Sequence, residues 1–148
     1  MEKKASAVWM GDLKSGTGSI STESGVLSNA PYGFVSRFEG GKGTNPEELI
    51  GAAHAGCFSM ALSVQLGNAG LKADKIATSA TVTMDKLEQG WTVTAVHLEV
   101  KASIPGADQV SFEKAANAAK AGCPISRLLN AKITMDAKLE NLLFSLRH

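Results

Sequence analysis

The segment Asn45-Pro46-Glu47-Glu48, followed by Leu49-Ile50-Gly51-Ala52-Ala53, limits what this chain can fold into more than any other. Asn45 can cap a helix with its side-chain oxygen. Pro46 suits the first helical position, where no N–H is needed, and Glu47 and Glu48 put negative charge in the positive first turn. The helix so predicted runs towards Gly67 or Gly70, with Leu49, Ile50, Ala53, Phe58, Met60, Ala61, Leu62, Val64 and Leu66 spread around it. A helix apolar on most sides is expected at the centre of a fold, buried, rather than on its surface.

On either side the period changes. Ala5 to Trp9 and Ser15 to Ser21 are short stretches broken by Gly11-Asp12 and by Gly16 and Gly18, which reads as strands joined by turns. Ser36 to Asn45 is glycine-dense without an apolar period and reads as a loop. Beyond Gly70, the residues Ile76, Thr78, Ala80, Val82 and Met84 alternate with Ala77, Ser79, Thr81, Thr83 and Asp85. Val96, Leu98, Val100, Ala102 and Ile104 alternate in the same way, predicting an antiparallel hairpin that turns at Leu87 to Gly90. Pro105-Gly106 ends the second strand. Ser111 then caps a predicted helix from Phe112 to near Ala121, Cys123-Pro124 opens a short helix to near Asn130, and Ile133 to Leu139 forms a last strand. Helices grouped between hairpins argue for an α+β fold with a largely antiparallel sheet and a long central helix, against a Rossmann-like one. At 148 residues, a single domain over 1–148 is expected.

Charge and composition narrow the function. Fifteen Lys+Arg against 14 Asp+Glu leave a net charge of +1, too little to hold nucleic acid or an anionic membrane surface. Aromatics make up 5%, while Ala supplies 21 residues and Gly 15, so the core needs close backbone packing and gains from an extra interface. A homodimer is the expectation. Met1 to Met10 is too short of apolar residues for a signal peptide, and no stretch reaches the roughly 18 apolar residues of a membrane span. The expected compartment is the cytoplasm, where thiols stay reduced.

Several motifs fail on inspection. Gly40-Gly41-Lys42-Gly43-Thr44 precedes a helix, but Ser36 stands where a phosphate loop needs its first Gly, and Gly43 where it needs Ser or Thr. Ser111-x-x-Lys114 sits at a helix start, where capping explains the serine. His54 and the two thiols could hold a metal, but no second His in register accompanies them, so no metal centre is expected.

The two cysteines, Cys57 and Cys123, carry the chemistry that remains. They are far apart in the chain, which excludes a Cys-x-x-Cys pair. Cys57 lies among small residues, as an inert buried thiol would, yet these leave room for a reactant to reach the sulfur. Cys123 lies at a predicted helix N-terminus, where amide dipoles favour a thiolate. Either could be the nucleophile. Arg37 could lower a thiol pKa and orient a peroxide, or could be a solvated strand-end arginine, and Glu47 is its natural partner. Ten residues of helix rise about 15 Å, too far for one Arg to serve Glu47 and Cys57 together. A helix break at Gly51 or Gly56, or a second chain, would resolve this.

At these residues the chain resembles the OsmC/Ohr family of thiol peroxidases, in its OsmC branch. The resemblance runs through Ser21-Thr-Glu-Ser-Gly-Val-Leu27, Pro31-Tyr-Gly-Phe34, Arg37-Phe-Glu-Gly40, the long segment Gly43 to Leu62, and Lys120-Ala-Gly-Cys-Pro-Ile-Ser126. It implies an intertwined α+β homodimer with two sites at its interface. In it Cys57 is the peroxidatic cysteine, Cys123 the resolving one, Arg37 the clamp on thiolate and peroxide, and Glu47 the partner of that arginine. The implied reaction reduces organic hydroperoxides, and hydrogen peroxide more weakly, through a Cys57 sulfenic acid and a Cys57–Cys123 disulfide that an external dithiol reduces. No metal, haem or flavin cofactor is required. Asn141 to His148 is a longer amphipathic end than the resemblance leads one to expect, a segment to dock on the partner chain or to fray. The competing reading is a ligand-binding or stress-structural protein whose cysteines only pack.

Overall fold

In a computed structural model, residues 1–140 are described, and the expectation for Asn141 to His148 lies outside them. The chain divides into two compact units, the first Met1–Leu49 and the second beginning at Ile50.

The first unit holds three strands, β1 (Ala5–Met10), β2 (Thr17–Thr22) and β3 (Ala30–Tyr32), in an antiparallel sheet of order β1-β2-β3. Trp9 pairs with Gly18, and its ring meets Tyr32, whose strand partner is the same glycine, at a tilt with centroids 5.5 Å apart. A side chain at Gly18 would collide with both rings, so the glycine is what lets them meet. The stretch expected to be a loop from Ser36 begins instead inside a short helix, α1 (Phe34–Phe38), which carries Arg37. Its start is built around buried Ser36, whose Oγ accepts from the Gly33 N–H at 2.9 Å and donates to the Thr44 carbonyl at 2.8 Å. A five-residue helix fixed by a serine and no apolar repeat leaves no periodicity to read.

Helix α2 (Pro46–Asn68) starts as its sequence dictates: the Glu48 N–H donates to Asn45 Oδ1 at 2.7 Å. Its first turn is counted in the first unit and the rest in the second. The helix is continuous over its 23 residues, so neither Gly51 nor Gly56 breaks it. One expectation is corrected here. Only one face, Gly51, His54, Phe58, Leu62 and Leu66, is buried, while Met60 and Val64 are exposed. A second correction concerns hydropathy: α2 is long and apolar enough, at a mean hydropathy of 1.4, to match a membrane span by length and composition. Leu49, Ile50, Phe58, Leu62, Val64 and Leu66 carry most of that value, with the alanines between them adding less.

In the second unit, β4 (Lys75–Leu87) and β5 (Gly90–Ser103) form the predicted hairpin, and β6 (Lys132–Leu139) adds to β5 in parallel. A parallel neighbour requires a crossover, and α3 (Gln109–Gly122) and α4 (Pro124–Leu128) supply it. Val96, Leu98, Val100 and Ala102 of β5 are buried with Ile104, Phe58, Leu62 and Leu66 of α2, and Phe112, Ala115, Ala116 and Ala119 of α3. The spacing of the α3 residues is that of one apolar face. The cap of α3 is Asp108, three residues before the expected one: its Oδ1 accepts from the Ser111 N–H and hydroxyl, both at 2.7 Å. The fold is α+β, with two small sheets in place of one.

Candidate active site

Cys123 stands at the junction of α3 and α4, where its backbone is extended (φ −64°, ψ 138°) and its sulfur caps α4, accepting the Ser126 N–H at 3.3 Å. Pro124 in the first turn stiffens this corner. Cys57 comes from α2 and is half-buried, Cys123 is wholly buried, and both thiols are free. The crossover that returns the chain to β6 thus brings the second cysteine to the first. Burial pushes the Cys57 thiol up, the Ile125 N–H pulls it down, and the neighbouring Cys123 thiol adds to the upward shift.

Both cysteines border a cavity of about 390 Å³ whose other walls include Met60, Ala61, Val64, Ala118 and Ala119. Two facing helices with alanines at this point leave the space that larger side chains would fill. The lining is apolar apart from Gln65 and the thiols, as suits a reactant with a hydrocarbon part.

A polar chain continues behind Cys123. Ser126 Oγ lies 3.2 Å from Cys123 Sγ and 2.8 Å from His54 Nε2. His54 is fully buried, and burial lowers its pKa. Its Nδ1 has no hydrogen-bond partner among the described residues. The sequence offers His54 only as a metal-ligand candidate beside the thiols and gives no role to Ser126. The signal was the spacing Cys123-x-x-Ser126, in which a cap and the third helical residue face one another.

In the first unit, Arg37 and Glu47 form a bidentate pair, with 2.8 and 3.2 Å hydrogen bonds. The Arg37 guanidinium also lies 5.3 Å from the centre of the Phe38 ring. A cavity of about 270 Å³ bordered by Trp9, Leu13, Tyr32, Phe34, Arg37 and Phe38 opens beside it. The four expected site residues therefore form two pairs, Cys57 with Cys123 and Arg37 with Glu47.

Among the described residues, His97, Glu99 and Asp136 are the group whose ligand atoms, within 4.8 Å of one another, could hold a metal ion. Parallel pairing of β5 with β6 assembles it, which the sequence pattern could not show. Both ring nitrogens of His97 are engaged, Nδ1 with Thr134 at 2.6 Å and Nε2 with Asp136 at 3.1 Å.

The family model described as OsmC-like protein matches residues 39–138. The chain is 53% identical over 141 residues to peroxiredoxin OsmC of Escherichia coli, covering 95% of this chain and 99% of that protein. It is 30% identical over 124 residues to the organic hydroperoxide resistance protein OhrB of Bacillus subtilis, covering 83% and 88%. Among solved structures, an OsmC-like protein of Vibrio cholerae superposes with a TM-score of 0.74 at 17% identity, over 93% of this chain and 99% of that one, a likeness of fold.

Proposed function

The chain belongs to the OsmC-like protein family, and on that premise we propose that it is a thiol-dependent peroxidase. It reduces organic hydroperoxides, and hydrogen peroxide more weakly, in the response to oxidative and osmotic stress. The observation that carries this reading is the meeting of two free cysteines at one apolar cavity. The Cys57 thiolate attacks the peroxide O–O bond, releasing an alcohol and leaving Cys57 as a sulfenic acid. Cys123 condenses with it to a disulfide and water, and an external dithiol restores both thiols. The sulfurs carry both electrons, so the cycle needs no cofactor.

A thiol pushed up by burial needs a cation to ionise at neutral pH. Arg37, held by Glu47, is that cation in this reading, and the aromatic cavity beside it suits the organic part of the substrate. Continuous helix separates Glu47 from Cys57 by about 15 Å of rise, so the clamp is assigned to a site completed by a second chain in an intertwined homodimer. Val8, Met10, Met60 and Val64, apolar and exposed in the single chain, support a second subunit. The two compact units are read as one functional domain, α2 as a core helix rather than a membrane span, and the cytoplasm as the compartment, with no nucleic-acid partner.

Intact mass after one equivalent of an alkyl hydroperoxide tests the reading. Loss of two hydrogens, with a Cys57–Cys123 link in the peptide map, is expected. Unchanged mass with both thiols still titratable would favour a ligand-binding or stress-structural protein instead.

A further inference from the structure

We propose that His54 is a positioning residue for the disulfide-forming step, acting on Cys123 through the Ser126 hydroxyl as a two-proton relay. The proposal rests on the thiol-peroxidase reading and deepens it by assigning the route of the Cys123 proton.

Three buried groups form a chain: His54 Nε2, then Ser126 Oγ at 2.8 Å, then Cys123 Sγ at a further 3.2 Å. Ser126 spends both its donors in this corner, since its N–H already points at the same sulfur. Packing alone does not account for the imidazole. Leu or Phe would fill a fully buried helix position without stranding a polar atom, whereas His54 leaves Nδ1 unpartnered among the described residues. What the imidazole adds is one nitrogen aimed at a hydroxyl that touches a thiol.

The chemistry follows from donor and acceptor capacity. With the ring proton on Nδ1, Nε2 offers a lone pair to the Ser126 O–H, which leaves the Ser126 oxygen to accept the Cys123 S–H. Burial keeps the ring neutral, so that lone pair is available. As Cys123 Sγ bonds to Cys57 Sγ, the S–O bond of the sulfenic acid breaks and its electron pair departs with hydroxide. The thiol proton passes to Ser126 as the Ser126 proton passes to Nε2. Hydroxide leaves on the side of Cys57 Sγ away from Cys123 and takes a proton from solvent there, giving water, while the ring gives its extra proton back to solvent. Sulfenic acid and thiol become disulfide and water, with no added oxidant or reductant.

The test is a rapid-quench single turnover with an alkyl hydroperoxide, measuring sulfenic acid formation and disulfide formation separately in the full chain. Ser126→Ala and His54→Gln are expected to lower the ratio of the second rate to the first by about 100-fold, and Ser126→Thr, which keeps the hydroxyl, to restore it. The unaltered protein should show a solvent deuterium effect on disulfide formation with a curved dependence on deuterium fraction. An unchanged ratio in Ser126→Ala overturns the relay, as does a linear deuterium dependence in the unaltered protein, which needs no variant to fold. If the unaltered protein forms no sulfenic acid, the peroxidase reading fails first and the relay with it.

Discussion

Arg37 meets Glu47 side by side: Nε donates to Oε1 at 2.8 Å and Nη2 to Oε2 at 3.2 Å, so both carboxylate oxygens are engaged by one guanidinium. Such a fork fixes direction as well as charge, and lysine cannot reproduce it. Arg37→Lys and Glu47→Gln should each lower kcat/KM for an organic hydroperoxide by about 10- to 100-fold. Thermal unfolding should barely move, because a partly exposed pair contributes only about 0–1 kcal/mol. Full peroxidase activity in Arg37→Lys would remove the clamp from the mechanism.

The two cysteines should fail differently. Cys57→Ser is expected to abolish peroxide consumption. Cys123→Ser should complete about one turnover and then stall as Cys57 oxidises beyond the sulfenic acid. Mass spectrometry of each variant after excess peroxide distinguishes these outcomes, and equal, full single-turnover activity in both would contradict the assigned roles.

His54 also sets an acid limit on stability. Its folded pKa lies below the ordinary 6.5, so the unfolded chain binds the proton more readily. The contribution is therefore complete above pH 6.5 and is lost as the pH falls through the folded value. Urea unfolding at pH 7.5, 6 and 5 should show stability declining with acid, and the decline should be shallower in His54→Gln. Parallel curves for the two proteins would place the acid sensitivity elsewhere.

Gly43 is expected to be irreplaceable in the loop that joins Arg37 to Glu47. Its φ of +106° suits glycine, and a Cβ there would stand 2.6 Å from the Pro31 carbonyl oxygen. Gly43→Ala should cost about 1–3 kcal/mol in chemical unfolding and reduce peroxidase activity with it. A variant as stable as the parent would mean that the loop relaxes without harm.

Met60→Glu tests the second chain. Met60 is 75% exposed in the single chain although it is a large apolar residue on α2. If a partner covers it, sedimentation should shift from dimer towards monomer, with activity falling in step. A dimer that tolerates the carboxylate would move the interface off this face.

What could be read from the sequence was whatever repeats or caps. The alternation from Ile76 to Met84 places those residues on the less exposed face of β4, and Asn45-Pro46 opens α2 as expected. Two kinds of feature escaped. Elements too short to have a period, β3 and α1, depend on single contacts such as those of Ser36. Strand direction and long-range meeting were also hidden: nothing in Ile133 to Leu139 says that β6 lies parallel to β5, and that crossover is what delivers Cys123 and Ser126 to α2. Cys57 and Cys123 could be singled out by residue type and setting, but His54 gains meaning only beside Ser126.

The capping sulfur of Cys123 ties helix geometry to electrochemistry. In the reduced chain, Sγ accepts the Ser126 N–H and completes the start of α4. In the proposed cycle, a Cys123 sulfur bonded to Cys57 would accept that N–H less well, so oxidation would give up the cap. Whatever the cap contributes to the dithiol is subtracted from the disulfide. A contact of about 1 kcal/mol corresponds to about 20 mV in a two-electron couple, in the direction that makes the disulfide easier to reduce. In the proposed cycle the corner that holds Cys123 would act as a spring loaded by each turnover, helping the reductant return the protein to its resting state.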